Sequence, residues 1–286
     1  MKILVVNWQD VKNPHAGGAE VHLHKTFEPI ARMGHDVTLI CSAFPGALPE
    51  EVINGIRMVR RGGRFLFNFR FMLEYLMRLR RQDFDIVVDD MNKIPFVTPL
   101  FVKKPIVGIA HHLFDKSIFL ETNFVLASYV YWMERLALAV YKRWRTPFIA
   151  VSRSTERELL AAGFASAQIT VVNEGVDHHA YNARAGAKSL TPLIGSFGRL
   201  KKYKSVDQLL RALPIVLQKV PHLKVVIIGD GDDRDRLEGI ARELRLEGVV
   251  EFTGFVSEQR KVELLQHIWC QVTTSSKEGW GLTVIE

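Results

Sequence analysis

With 286 residues, 48% hydrophobic and 24% charged, the chain has ample apolar material for a sizeable core and a length that suits about two domains. Those values exclude a disordered, collagen-like or low-complexity protein, and two cysteines, Cys41 and Cys270, cannot build a disulfide scaffold. A formal net charge of +7 attracts nucleic acid, anionic lipid or anionic small substrates and does not choose among them.

The opening MKILVVNWQD has an apolar run too short for a signal-peptide core. It reads instead as the first of the continuous apolar runs KILVV, DVTLI, DIVVD, PIVGIA, PFIAV and ITVV, which predict buried parallel strands. Helical patterns lie between them. Ala19–Met33 is one, closed by Gly34 as a C-terminal cap. Phe67–Arg81 is another, Ser117–Arg143 supplies one or two more, and the segment at Ser154 opens a further one with glutamates in its first turn. The apolar stretch Phe124–Met133 stops at Glu134 and Arg135, far short of the roughly 20 residues a spanning helix needs. Both cysteines sit in apolar runs, VTLIC and IWCQV, which predicts buried, reduced thiols and fits a reducing cytoplasm.

Asp177–Thr191 is polar and lacks apolar periodicity, as a linker would. A second series follows: PLIGSF (strand), SVDQLLRALPIVLQKV (helix, with Pro214 inside it), LKVVIIG (strand), DDRDRLEGIAREL (helix), VVEFTG (strand), SEQRKVELLQHI (helix) and WCQVTTS (strand). Repeated strand–helix units of this kind predict an α/β protein with two Rossmann-like, doubly wound parallel sheets. The expected domains are residues 1–178 and 192–286, joined by a linker at 179–191. The segment GLTVIE reads as a helix that has just begun at Glu286, so the second domain is expected to be incomplete and the chain a fragment or natural truncation.

Ligands of open α/β sheets bind at the carboxyl ends of strands. After KILVV, Gly17-Gly18 precede a helix, where backbone N–H groups can approach an anion; a tight loop without ligand is as good a reading. After PIVGIA come His111 and His112. A strand-end histidine can bond a substrate or move a proton, although a lone one is more often structural. Adjacent histidines point to opposite faces, and no Cys/His spacing resembles a zinc site. After PLIGSF, Arg199 and Lys204 flank a helix start, as suits a diphosphate. After LKVVIIG, the Asp-x-Asp at Asp230–Asp232 reads as a glycine turn with an acidic helix start rather than a metal site. After WCQVTTS, Glu278 precedes a glycine-bounded turn and Glu286 lies on the next helix; such carboxylates can accept bonds from vicinal sugar hydroxyls.

In this order the segments GGAEVH and GHDVTLI, SRSTERELLAAGF, VVNEGVD, GRLKKYKSVDQLLRAL, IIGDGDDRDRLE, FTGFVS and Glu278-x7-Glu286 resemble the retaining GT-B glycosyltransferases of glycosyltransferase family 4, over essentially the whole chain. The resemblance implies a nucleotide-sugar donor and transfer with retention, without a metal or cofactor. It implies that Arg199 and Lys204 bind the diphosphate and that Glu278 holds the donor sugar's hydroxyls. Gly279, Trp280, Gly281, Leu282 and Thr283 bring backbone to sugar and phosphate, while Glu286 holds the ribose. Phe255 and Val256 border the base, Gly17 and Gly18 sit opposite the phosphates, and His111 faces the sugar's reacting end. Glu174 stands where many relatives have asparagine.

Arg60, Arg61, Arg64, Arg70, Arg78, Arg80 and Arg81 cluster around Phe65, Leu66, Phe67, Phe69, Phe71, Met72 and Leu73. Such a segment reads equally as a lipid-touching surface or as an ordinary amphipathic helix with a solvated side. Tyr131–Arg145, with Trp132 and Trp144, adds to the lipid reading. The partners expected are a nucleotide sugar, a glycan or lipid-linked acceptor and an anionic membrane surface, peripheral at the inner face of the plasma membrane. Nucleic acid is not expected, because the charge is not in one block. The alternative function is a sugar-nucleotide-binding or membrane-binding module without transfer activity.

Overall fold

The computed structural model describes residues 1–63, 66–91, 94–176, 181 and 188–286, with Leu120 by its backbone alone. Arg64, Phe65 and most of the expected linker lie outside the described residues. The chain forms two compact units, one of Met1–Ile118 with Phe124–Glu174 and one of Phe119–Asn123 with Gly175–Glu286.

In the first unit β1 (Lys2–Val6) leads to α1 (Gly18–Arg32), β2 (Asp36–Cys41), β3 (Glu50–Ile53) and β4 (Ile56–Arg60). Then come α2 (Phe67–Met77), β5 (Ile86–Met91), β6 (Ile106–Ala110), α3 (Phe124–Arg143), β7 (Phe148–Ala150), α4 (Arg153–Ala161) and β8 (Ile169–Val171). The sheet order is β3-β4-β2-β1-β5-β6-β7-β8, parallel except for β3 with β4. The crossover through α1 steps one way from β1, and those through α2, α3 and α4 step the other way. Right-handed crossovers therefore place α1 on one face of the sheet and the other three helices on the opposite face. Both faces are covered, which is why the strands read as unbroken apolar runs; in β1 everything after Lys2 is buried. On the α2 side Phe67 and Phe71 are fully buried among Trp8, Phe96 and Phe101, each contributing roughly 2–3 kcal/mol on burial.

The β3–β4 hairpin is absent from the reading by apolar runs. Its strands, EEVI and IRMVR, are short and half polar. The signal that locates it is Asn54-Gly55, whose φ values of 50° and 86° suit a two-residue type I′ turn. The hairpin also corrects the basic cluster. Arg60 is 2% exposed and bonds Asp10 and Glu51, each at 2.5 Å. Arg61 pairs with Glu50 and Glu74. The solvent-facing side of this segment is instead Phe69, Leu73 and Met77 with Arg70, Arg78, Arg80 and Arg81. The helix expected to reach Arg81 ends at Met77 and is followed by a 3₁₀ turn, Leu79–Arg81.

The second unit comprises β9 (Leu193–Phe197), α5 (Val206–Lys219), β10 (Lys224–Ile228), α6 (Arg234–Glu243), β11 (Val250–Gly254), α7 (Glu258–His267), β12 (Cys270–Gln271) and α8 (Leu282–Ile285). Its sheet runs β11-β10-β9-β12, all parallel. Val225 and Ile227 of β10 pack with α5 and α6, whereas Val226 and Ile228 face Leu264 and Leu265 of α7. Cys41 is buried as expected, but Cys270 is exposed. It lies on a two-residue strand at the sheet edge, where an apolar neighbourhood in sequence does not guarantee cover.

Candidate functional site

In the second unit the strand order reverses between β9 and β12, and the segments that follow these two strands meet. The Thr274 hydroxyl donates to the Lys204 carbonyl at 3.0 Å. The Ser276 N–H and hydroxyl donate to the Tyr203 carbonyl at 2.9 and 3.0 Å. Ser205, at φ 52°, holds a left-handed turn uncommon for a residue with a side chain. Arg199 and Lys204 line one shallow concavity together with Phe197, Thr273 and Ser275. The β9 loop is pressed against the turn after β10: the Leu200 N–H donates to the Asp230 carbonyl at 2.9 Å. A Cβ at Gly231 would stand 2.1 Å from the Leu200 carbonyl oxygen, and one at Gly229 2.1 Å from that of Gly198. Only glycine permits this approach.

Lys204 donates from Nζ to Glu278 Oε1 at 2.5 Å, so the expected diphosphate cation and the expected sugar-binding carboxylate form one ion pair. Glu286 Oε2 lies 3.1 Å from Lys261 Nζ, and that ammonium also sits 4.9 Å from the ring centres of Phe197 and Tyr181. The sequence reading missed Lys261, because it lies within α7 and not at a strand end. Gly281 (φ 76°) opens α8, which carries Leu282 and Thr283; Gly279 and Trp280 precede it, and the buried Trp280 Nε1 has no hydrogen-bond partner among the described residues. Phe255 is exposed, and Val256 packs on the α7 side of the sheet. Three carboxylates of the turn after β10 are ion-paired: Asp230 with Arg234 at 3.4 Å, Asp232 with Lys201 at 2.5 Å, and the buried Asp233 with Arg236 at 2.6 Å.

In the first unit the Gly17 N–H donates to the buried carboxylate of Glu20 at 2.7 Å, closing the start of α1, whose first residue is Gly18. His111, past the end of β6, is buried between two acids. Its Nε2 is 2.8 Å from Asp90 Oδ1 and its Nδ1 is 3.3 Å from Glu174 Oε1. Burial alone would lower the His111 pKa, but Asp90 and Glu174 outweigh it and raise the value to about 10. His22, on α1, packs edge-on against His111 at 5.3 Å between ring centres, and burial lowers its pKa. His22 and Glu174 are a second miss, since no local spacing joins them to His111.

Two doubly wound units with ligand loops at their strand ends define the GT-B architecture of glycosyltransferases. Residues 16–180 match the family described as Glycosyltransferase Family 4, and residues 179–286 match Glycosyl transferases group 1. The chain belongs to glycosyltransferase family 4. An uncharacterized glycosyltransferase of Methanocaldococcus jannaschii is 24% identical over 321 residues, covering 100% of this chain and 77% of that protein. The phosphatidyl-myo-inositol mannosyltransferase of Mycobacterium tuberculosis is 26% identical over 294 residues, covering 94% and 71%. The crystal structure of Anabaena HepE in complex with UDP and glucose superposes with a TM-score of 0.75 at 19% identity, covering 100% of this chain and 77% of that one.

Proposed function

We propose that this glycosyltransferase takes its sugar from a nucleotide diphosphate donor, with retention of configuration, and neutralises the departing diphosphate with Arg199 and Lys204 rather than with a metal ion. The observation that carries the reading is that both cations line one concavity where the second sheet reverses. Breaking the bond between the sugar and the phosphate oxygen builds positive charge on the sugar and negative charge on the leaving oxygen. Cations set in place once the donor is bound meet that charge without further reorganisation. Lys204 is tied to Glu278, so donor binding divides this pair: the ammonium turns to phosphate while the carboxylate takes sugar hydroxyls. Glu286 is assigned to the ribose, and the acceptor is delivered on the leaving-group face. The complexes with UDP and glucose formed by HepE support such a donor.

For the acceptor we propose a glycan or lipid-linked sugar at an anionic membrane surface. Val125, Tyr129, Trp132 and Leu136 are exposed at helical spacing along α3, and exposed Arg143 and Arg145 close it. The α2 residues Phe69, Leu73 and Met77 repeat the pattern on the same side of the sheet. No helix among the described residues is long and apolar enough to cross a membrane.

A panel of UDP-, GDP- and ADP-sugars tests the donor assignment by thermal shift and by release of nucleotide diphosphate. One donor should stabilise the chain, and Arg199→Ala and Lys204→Ala should each abolish its turnover. Parent-like donor binding and turnover in both variants would defeat the assignment. A shift with bare nucleotide and no transfer to any acceptor would favour the binding-module alternative.

A further inference from the structure

Three ligand-type atoms converge inside the first unit. The Nδ1 atoms of His111 and His22 lie 3.3 and 3.8 Å from Glu174 Oε1, and one such atom from each residue falls within 4.8 Å of the others. Each imidazole turns its far nitrogen to another group. Nε2 of His111 is 2.8 Å from Asp90 Oδ1, and Nε2 of His22 is 3.3 Å from Thr26 Oγ1. With Nε2–H donating outward, the Nδ1 of each ring is left as an acceptor beside Glu174 Oε1. Metal-binding histidines are held in this way, by a carboxylate or other acceptor on the far ring nitrogen. A tetrahedral ion with bonds near 2.0–2.2 Å separates its ligand atoms by about 3.3–3.6 Å, close to the spacing found.

Two further observations point to a cation. Among the described residues the buried His22 Nδ1 and Asp90 Oδ2 have no hydrogen-bond partner. Asp90 and Glu174, two acids only 1% and 8% exposed, flank the His111 imidazole at its two nitrogens. A divalent ion, with both imidazoles neutral, brings the cluster to electroneutrality and gives His22 Nδ1 its partner. The His22 side chain, 14% exposed, leaves an opening to solvent. Two imidazoles with one carboxylate suit zinc in particular.

We propose that His22, His111 and Glu174 bind a divalent ion of the zinc type, oriented by Asp90 and Thr26. All of these residues belong to the first unit, and the proposal does not rest on the diphosphate assignment of Arg199 and Lys204.

The test uses the full chain stripped with a chelator, titrated with Zn²⁺ by calorimetry and with Co²⁺ by visible absorption. One equivalent should bind saturably. His22→Ala and Glu174→Gln should each abolish that binding, and Asp90→Asn should weaken it about 10–100-fold. His24→Ala, two residues along the same helix, should bind like the parent. X-ray absorption of the zinc-loaded parent should show two imidazole ligands, a readout that does not depend on any variant folding. No saturable binding by the parent, parent-like binding by His22→Ala or Glu174→Gln, or fewer than two imidazoles would overturn the proposal.

Discussion

Replacing Arg60 with glutamine tests the claim that the β3–β4 hairpin internalises a charge that composition alone would have left at a lipid-facing surface. The side chains of Arg60 and Asp10 are both 0% exposed. The guanidinium reaches Asp10, Glu51 and, at 2.9 Å, the Leu48 carbonyl, and it stands 5.2 Å from the Phe44 ring centre. Glutamine is too short to serve all of these and brings no charge. Removing one partner of a buried pair costs about 3–5 kcal/mol, because the other charge remains in a poor solvent. Asp10 still accepts from the Lys12 N–H at 2.8 Å and from Cys41 Sγ at 3.3 Å, which moves the expectation to the lower end, about 3 kcal/mol. For a unit of this size that corresponds to a fall of roughly 6–12 °C in unfolding temperature. Urea and thermal melts of the first unit's transition measure it. Adding Asp10→Asn removes the stranded charge and should recover a good part of the loss. Sedimentation with anionic vesicles should not change in Arg60→Gln. A single variant within about 0.5 kcal/mol of the parent, or a double variant no better than the single, would refute the reasoning.

Gly231→Ala should destabilise the second unit and weaken donor binding, because its Cβ would strike the Leu200 carbonyl. Gly239→Ala, inside α6 with nothing within 4 Å of the new atom, should stabilise by up to about 1 kcal/mol; chemical denaturation separates the two. Burial raises the Asp89 pKa to about 6 even though bonds from Thr98 and Tyr141 oppose the shift. The folded state then holds this proton more tightly than the unfolded chain, and stability falls as pH rises from 3.8 to about 6. Asp89→Asn should flatten that slope, on the order of 2–3 kcal/mol, in melts run across it. Trp132→Ser combined with Leu136→Ser should reduce sedimentation with anionic vesicles several-fold while leaving the melting temperature nearly unchanged, since both side chains are exposed.

The parts of the molecule that could be read from sequence share one physical cause. A parallel strand covered on both faces is an apolar run, and the place where the run stops is its carboxyl end. Arg199 and Lys204 follow PLIGSF and Glu278 follows WCQVTTS, so their places at strand ends were legible in the sequence, and the family resemblance joined them around one donor. The hairpin was not, because Val52 is 69% exposed while Ile56 is fully buried, and neither strand makes a run. There the only signal was Asn54-Gly55, a statement about backbone twist rather than burial.

Lys261, His22 and Glu174 fail for a different reason. Lys261 and His22 point from helices, where period 3.6 spreads polar residues around a cylinder and gives none of them a privileged place. Glu174 lies 63 residues from His111, and the contact exists only because β6, β7 and β8 stand side by side in the sheet. Its one mark in the sequence is chemical: an acid where the family resemblance leads one to expect an amide. An amide beside His111 would leave Asp90 as the single charge on that imidazole. The acid places a second buried carboxylate beside that imidazole, and it is this carboxylate that the proposed cation site takes as its third ligand, with His22 and His111.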